Sequence, residues 1–244
     1  MGGIGWMGRA MMFRLSVRGW RGVSRFARPA FSAFPAHPAR PALLALVIAL
    51  TACNPKPPET KDYTAKIAAE RASKDTMFER GDDPVPAARH AQFLPLAYFP
   101  IDPDYDVPAQ LKPADDRRVF DMPTSTGTQR KMRRVGALQF ILKGQAMTLT
   151  AFVEADAKTL DRLFVPFNDT TSGTETYPGG RYMDLDRTPT GIYEVDFNRA
   201  YHPYCYYNPT YECPIPPVEN RLKIPVRAGE KLKNAQVSRL NSQR

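Results

Sequence analysis

Residues 137–154 read ALQFILKGQAMTLTAFVE, and their alternation decides the fold. Leu138, Phe140 and Leu142 alternate with Gln139, Ile141 and Lys143. After the turn signal Lys143-Gly144-Gln145, Met147, Leu149, Ala151 and Val153 alternate with Thr148, Thr150, Phe152 and Glu154. A period of two puts one set on a buried face and the other toward solvent, the pattern of two antiparallel strands joined by a tight turn. Outward from this hairpin, which spans 135–154, further strand candidates lie at 105–111, 117–122, 163–167, 181–185, 192–197 and 222–226. Seven to eight short strands with Pro and Gly punctuation predict a mainly β domain, an antiparallel sandwich or a partly open barrel.

Before the strands, residues 63–80 are Ala-rich and charged, with Tyr63, Ile67 and Phe78 roughly in register and Gly81-Asp82-Asp83-Pro84 as a stop. One amphipathic helix is expected there. Its apolar stripe is thin, so it should lie on the surface of the domain. From 84 to 113, prolines 84, 86, 95, 100, 103, 108 and 113 break the chain, while Phe93, Leu94, Leu96, Tyr98 and Phe99 offer core contacts. That many large apolar groups predict ordered wrapping and not a solvated linker.

The first 52 residues are a separate object. They hold seven arginines and no acidic residue, and end in an apolar run, residues 42–52, too short to cross a bilayer as a helix of ~20 residues. Basic stretch, short apolar core and small residues before a cut are the parts of a secretory signal. Leu50-Thr51-Ala52-Cys53 is similar to the lipobox of bacterial lipoproteins, in which the cysteine is acylated and becomes the new N-terminus. The expected organisation is a signal peptide at 1–52, lipidated Cys53 and a Pro-rich tether at 53–62, a single domain at 63–232, and a polar tail at 233–244. Asn54, where an Asp would resemble an inner-membrane retention signal, favours the outer membrane.

Removing the leader changes the charge argument. The whole chain carries 34 Lys and Arg against 25 Asp and Glu, a formal +9. Without the seven leader arginines, 27 basic residues face the same 25 acids, leaving +2. Nucleic acid loses its support as a partner. The bilayer, through acylated Cys53, is the expected partner, with an unidentified small molecule or envelope protein. Three cysteines and three histidines argue against a multi-ligand metal centre, and no phosphate loop, dinucleotide fingerprint or EF-hand is present, so neither metal nor cofactor is expected.

Two stretches carry most of the identity: LFVPFNDTTSGTETYPGGRY at 163–182 and VDFNRAYHPYCYYNPTYECPIPPVENRL at 195–222. Together they resemble a bacterial family of uncharacterised proteins, the domain of unknown function numbered sixteen eighty-four, over roughly residues 65–231. The resemblance implies no activity. It does imply that Asp169, Gly173, Arg181, Asp196, Asn198, Arg199, Cys205, Cys213 and Asn220 fall on the family pattern and that His202 departs from it.

Read physically, these residues leave several accounts open. Cys205 and Cys213 enclose a loop rich in Tyr and Pro, and in an oxidising compartment they would close a disulfide contributing about 2.5 kcal/mol. The alternatives are a redox or nucleophilic thiol, or a zinc site with His202, both short of a family histidine. Asp169, Arg181, Asp196, Asn198, Arg199 and Asn220 form either an internal ion-pair network or a polar pocket for a carboxylate or phosphate. Tyr201, Tyr204, Tyr206, Tyr207 and Tyr211 could stack on sugar rings or grip a protein, or be split between core and surface. A ligand- or partner-binding domain is the first expectation. An envelope hydrolase using Asp169 and Asp196 as acid and base is the second, and a scaffold the third.

Overall fold

The computed structural model describes residues 60–81 and 83–233. The expected signal peptide, Cys53 with most of the tether, and nearly all of the polar tail lie outside the described residues. Helix α1 (Thr60–Arg80) opens the domain and the short α2 (His90–Phe93) follows. Seven strands come next: β1 (Asp106–Pro113), β2 (Val119–Pro123), β3 (Gln129–Leu142), β4 (Gln145–Glu154), β5 (Arg162–Phe167), β6 (Arg181–Asp186) and β7 (Ile192–Asp196). A short helix, α3 (Tyr204–Tyr207), lies in the loop after β7.

The strands form one antiparallel sheet in the order β6-β5-β4-β3-β1-β7, with β2 also on β3. The sheet curls into a nearly closed barrel. Tyr182 of β6 exchanges backbone hydrogen bonds of 2.8 and 3.0 Å with Tyr201, just beyond β7, so the two sheet ends meet. The predicted hairpin is β3–β4, and its turn is the pair Lys143-Gly144, both at positive φ (47° and 77°) as a two-residue turn with right-handed twist requires.

Strand β3 organises the rest. Its first half pairs with β2 and its second half with β1, and a bulge between Arg134 and Gly136 separates the two. The bulge inverts the alternation: Met132 sits in an outer cluster with Met122 and Phe152, whereas Leu138, Phe140 and Leu142 fill the barrel. A Cβ on Gly136 would stand 2.4 Å from the Lys112 carbonyl oxygen, so only glycine lets β1 approach here. Phe152, on the face expected to meet solvent, is fully buried in that outer cluster.

The strand expected at 222–226 is not one. Leu222 N–H donates to Asn168, Val226 N–H to the Asp169 side chain, and the Val226 carbonyl accepts from Arg181, so its backbone groups serve loops and side chains and not a ladder. Helix α1 is as predicted on the surface, but most of what holds it is polar. Tyr63, Ile67, Arg71, Lys74, Asp75 and Phe78 share one face, and only Ile67 and Phe78 of these are apolar and buried.

Candidate functional site

The charged and amide residues singled out from sequence separate into three places, all near the barrel end where β5 and β7 finish. Arg181 and Asp169 form a buried ion pair (Nη2 to Oδ2 2.8 Å), each side chain 1% exposed. The guanidinium also donates to the carbonyls of Ala228, Glu230 (3.2 Å) and Val226 (2.7 Å), and Asp169 Oδ1 accepts from the Thr171 amide at 2.7 Å. The pair staples 226–230 over this end of the barrel, and neither member meets solvent. Asn220 is equally internal. Its Oδ1 accepts from Thr150 N–H at 2.7 Å, while Nδ2 donates to Thr150 and Pro166 carbonyls at 2.8 and 2.7 Å, filling the gap where β4 and β5 share a single register pair.

Asp196, Asn198 and Arg199 hold α1. The Tyr63 hydroxyl donates to Asp196 Oδ1 (2.8 Å) and accepts from Asn198 Nδ2 (2.9 Å), and Arg71 donates to the carbonyls of Asn198 and Phe99. Asp106, Glu194 and Asp196 bring carboxylate oxygens within 4.8 Å of one another, a spacing a cation would accept. Arg199 already supplies positive charge there, 3.4 Å from Asp196 and 4.0 Å from Glu194. Burial, then Asp196 and Glu194, push the Asp106 carboxyl up to about 6.

One hub has no sequence signal. Glu230 is a single acid in a loop, yet its buried carboxylate accepts from Lys74 Nζ (2.6 Å), His202 N–H (2.7 Å) and the Tyr207 hydroxyl (2.7 Å). Burial pushes this carboxyl up, and Lys74, His202 and Tyr207 together draw it below its ordinary value. His202, fully buried, is held down to about 3 by desolvation. Its Nε2 accepts from Tyr177 N–H at 3.3 Å, so the neutral ring carries its proton on Nδ1, toward Glu230.

Cavities of about 310 and 230 Å³ open beside Asp196 and Arg199, and a roomier, largely aromatic cleft lies elsewhere, outside the barrel wall. A cleft of about 420 Å³ runs between Met132, Phe164 and Tyr182 on β3, β5 and β6 and Tyr201, Tyr204 and Tyr211 on the loop beyond β7. Tyr201 is fixed by its hydroxyl on Asp184 (2.8 Å), and the Tyr182 hydroxyl donates to the Pro214 carbonyl. Phe164 and Tyr182 pack edge to face at 4.7 Å, as do Tyr204 and Tyr211 at 5.3 Å. Arg130, Arg162, Glu154, Asp184 and Glu212 add charge. The tyrosine group is thus divided, Tyr207 going to a second core with Phe78 and Phe93 and three others to the cleft.

Cys213 lines this cleft, and both it and Cys205 are free thiols; Cys205 N–H donates to Cys213 Sγ at 3.2 Å. Cys213, Ser125 and Tyr177 all offer hydrogen bonds to the Cys205 sulfur, and the Cys213 contact leads in drawing that thiol down to about 6. Holding the proton for its neighbour raises Cys213.

The comparisons agree with this architecture. No curated protein matches the chain. An uncharacterised protein of Haloarcula marismortui, solved in solution by NMR, is 38% identical over 70% of this chain and 95% of its own, with a TM-score of 0.56. That relative consists almost wholly of the shared region. The family described as Protein of unknown function (DUF1684) matches residues 91–231, from α2 through the Glu230 hub, and the chain belongs to this family.

Proposed function

We propose that the protein is a lipid-anchored envelope domain, facing the periplasm, whose aromatic cleft binds a small ring-bearing molecule such as a sugar. The cleft carries the reading. Its volume falls within the ~300–1,000 Å³ of small-molecule sites, and its walls combine tyrosine and phenylalanine faces with a few charged groups. Tyr182 and Tyr201 are held before any ligand arrives, which lowers the entropy lost on binding. A hydrolase built on Asp169 and Asp196 draws no support from the geometry, because the Asp169 carboxylate is spent on Arg181 and backbone amides away from solvent.

The anchor rests on the lipobox at Cys53 and the apolar run before it, with Asn54 favouring the outer membrane. Each buried acyl CH₂ contributes ~0.8 kcal/mol, so several chains hold the protein without help from its surface. Among the described residues no helix is long and apolar enough to cross a membrane. In that oxidising compartment Cys205 and Cys213 close a disulfide beside the cleft.

Amide shifts of the unit 54–244, titrated with N-acetylglucosamine, maltose and benzoate, test the cleft. Saturable changes at Phe164, Tyr204 and Tyr211 that vanish in Tyr204→Ala are expected; silence across all three probes overturns the reading. For the anchor, Cys53→Ser should leave the detergent phase, and retention there refutes it. Two titratable thiols in protein taken from the periplasm would remove the disulfide.

A further inference from the structure

A second cavity, sharing no residue with the cleft, opens at the opposite end of the barrel from the Arg181–Asp169 pair. It measures about 580 Å³ and is formed where β1 and β6 end, where β3 bulges, and by the β4–β5 and β6–β7 connections. Its floor is apolar: Leu111, Val135 and Leu160 are packed against the barrel core, and Tyr193 belongs to it. Its rim carries Arg117, Arg133, Arg134 and Arg187, and no Asp or Glu lines it.

Two of these arginines are already occupied. Arg133 donates to the Ala157 carbonyl (3.1 Å), and Arg134 pairs with Glu219 (2.6 Å) while lying over the Phe120 ring. Arg117 and Arg187 make no side-chain hydrogen bond or ion pair among the described residues. Nearby Asp116 does not neutralise them, since its carboxylate takes both Nε and Nη2 of Arg118. Guanidinium groups facing one cavity without a counter-charge present a fork geometry that matches carboxylate or phosphate oxygens.

We infer that this mouth binds a single-chain amphiphile, its carboxylate or phosphate head on Arg117 and Arg187 and its apolar part against Leu111, Val135, Leu160 and Tyr193. The two halves of the site ask for the two halves of one molecule. A bare anion leaves the floor wet, and an uncharged chain leaves the rim unpaired. The bulge in β3 contributes to both, placing Val135 on the floor and Arg133 and Arg134 on the rim.

Calorimetry on the unit 54–244 with decanoate, below its aggregation concentration, tests this. Decanoate should bind with one-to-one stoichiometry, at least tenfold more tightly than decanol, acetate or inorganic phosphate. Arg117→Gln with Arg187→Gln should weaken it tenfold or more at an unchanged unfolding midpoint. Equal affinity for decanol, equal affinity for inorganic phosphate, or an indifferent double variant overturns the inference. So does sedimentation of the unit with phosphatidylglycerol vesicles in the absence of any decanoate binding, which would assign the arginines to a membrane surface. None of these readouts depends on the aromatic cleft, so the two sites can fail separately.

Discussion

The two ends of the barrel hold arginine in opposite ways. At the end where β5 and β7 finish, Arg181 is buried, ion-paired and bonded to three carbonyls, and the chain from 226 to 230 is folded over it. At the other end four arginines surround an open cavity, and two of them have no partner among the described residues. A buried charge is costly unless it is paired and hydrogen-bonded, and the partners gathered around Arg181 tie the chain together at this end. Exposed, unpaired guanidinium does nothing for the fold and is available to a ligand. Solvation and pairing, not charge, therefore separate a plug from a mouth.

Several measurements can break or sharpen that contrast. The largest effect belongs to the plug. Arg181→Met leaves Asp169 buried without its cation and should lower unfolding stability in urea by about 3–5 kcal/mol, or prevent folding. Replacing both partners with Asp169→Leu and Arg181→Met should recover part of the loss, and an Arg181 effect below about 1 kcal/mol would erase the distinction.

Next comes Asn220→Ala, which strands the Thr150 amide and two carbonyls between β4 and β5 and should cost about 2 kcal/mol in the same assay. Smaller still is Asp106→Asn. The folded-state carboxyl is raised to about 6 from an unfolded value near 3.9, so the folded state binds more protons and wild-type stability falls as pH rises from about 4 to 6. The variant should remove that slope and gain about 1 kcal/mol at pH 7, a figure discounted because the carboxyl is only half-buried. His202 contributes with the opposite sign, losing stability as pH drops below about 6.5, and cancels when variant and wild type are subtracted. Smallest is the mouth: Arg117→Gln with Arg187→Gln should stay within about 0.5 kcal/mol of wild type. A larger loss would mean these arginines hold structure after all.

What could be read from the chain follows from how local each signal is. The β3–β4 hairpin is legible because Leu138 through Val153 alternate with a period of two around Lys143-Gly144. Helix α1 is legible as a helix, but its docking is not, because Arg71, Lys74 and Asp75 look like solvated charge until the Phe99 carbonyl, Glu230 and the Leu96 amide are known to face them. Asp169, Arg181 and Asn220 read equally well as a pocket or as internal ties, since the residue types are the same and only burial distinguishes them. The rim arginines come from three separated segments and register in sequence merely as net charge. The stretch 222–226 has strand composition, yet nothing in it reveals that its backbone is committed to Asn168, Asp169 and Arg181.

The attachment of α1 also sets a direction. Tyr63, in its first turn, is bonded to Asp196 and Asn198 at the plugged end. From Cys53 to Thr60 the backbone can span at most about 25 Å. In a chain tethered at Cys53, as proposed, the plugged end stays within that reach of the lipid headgroups, and the orientation to be tested has the arginine mouth toward the aqueous space. A vesicle-bound preparation should show the mouth, and not the first turn of α1, as the end open to a soluble quencher.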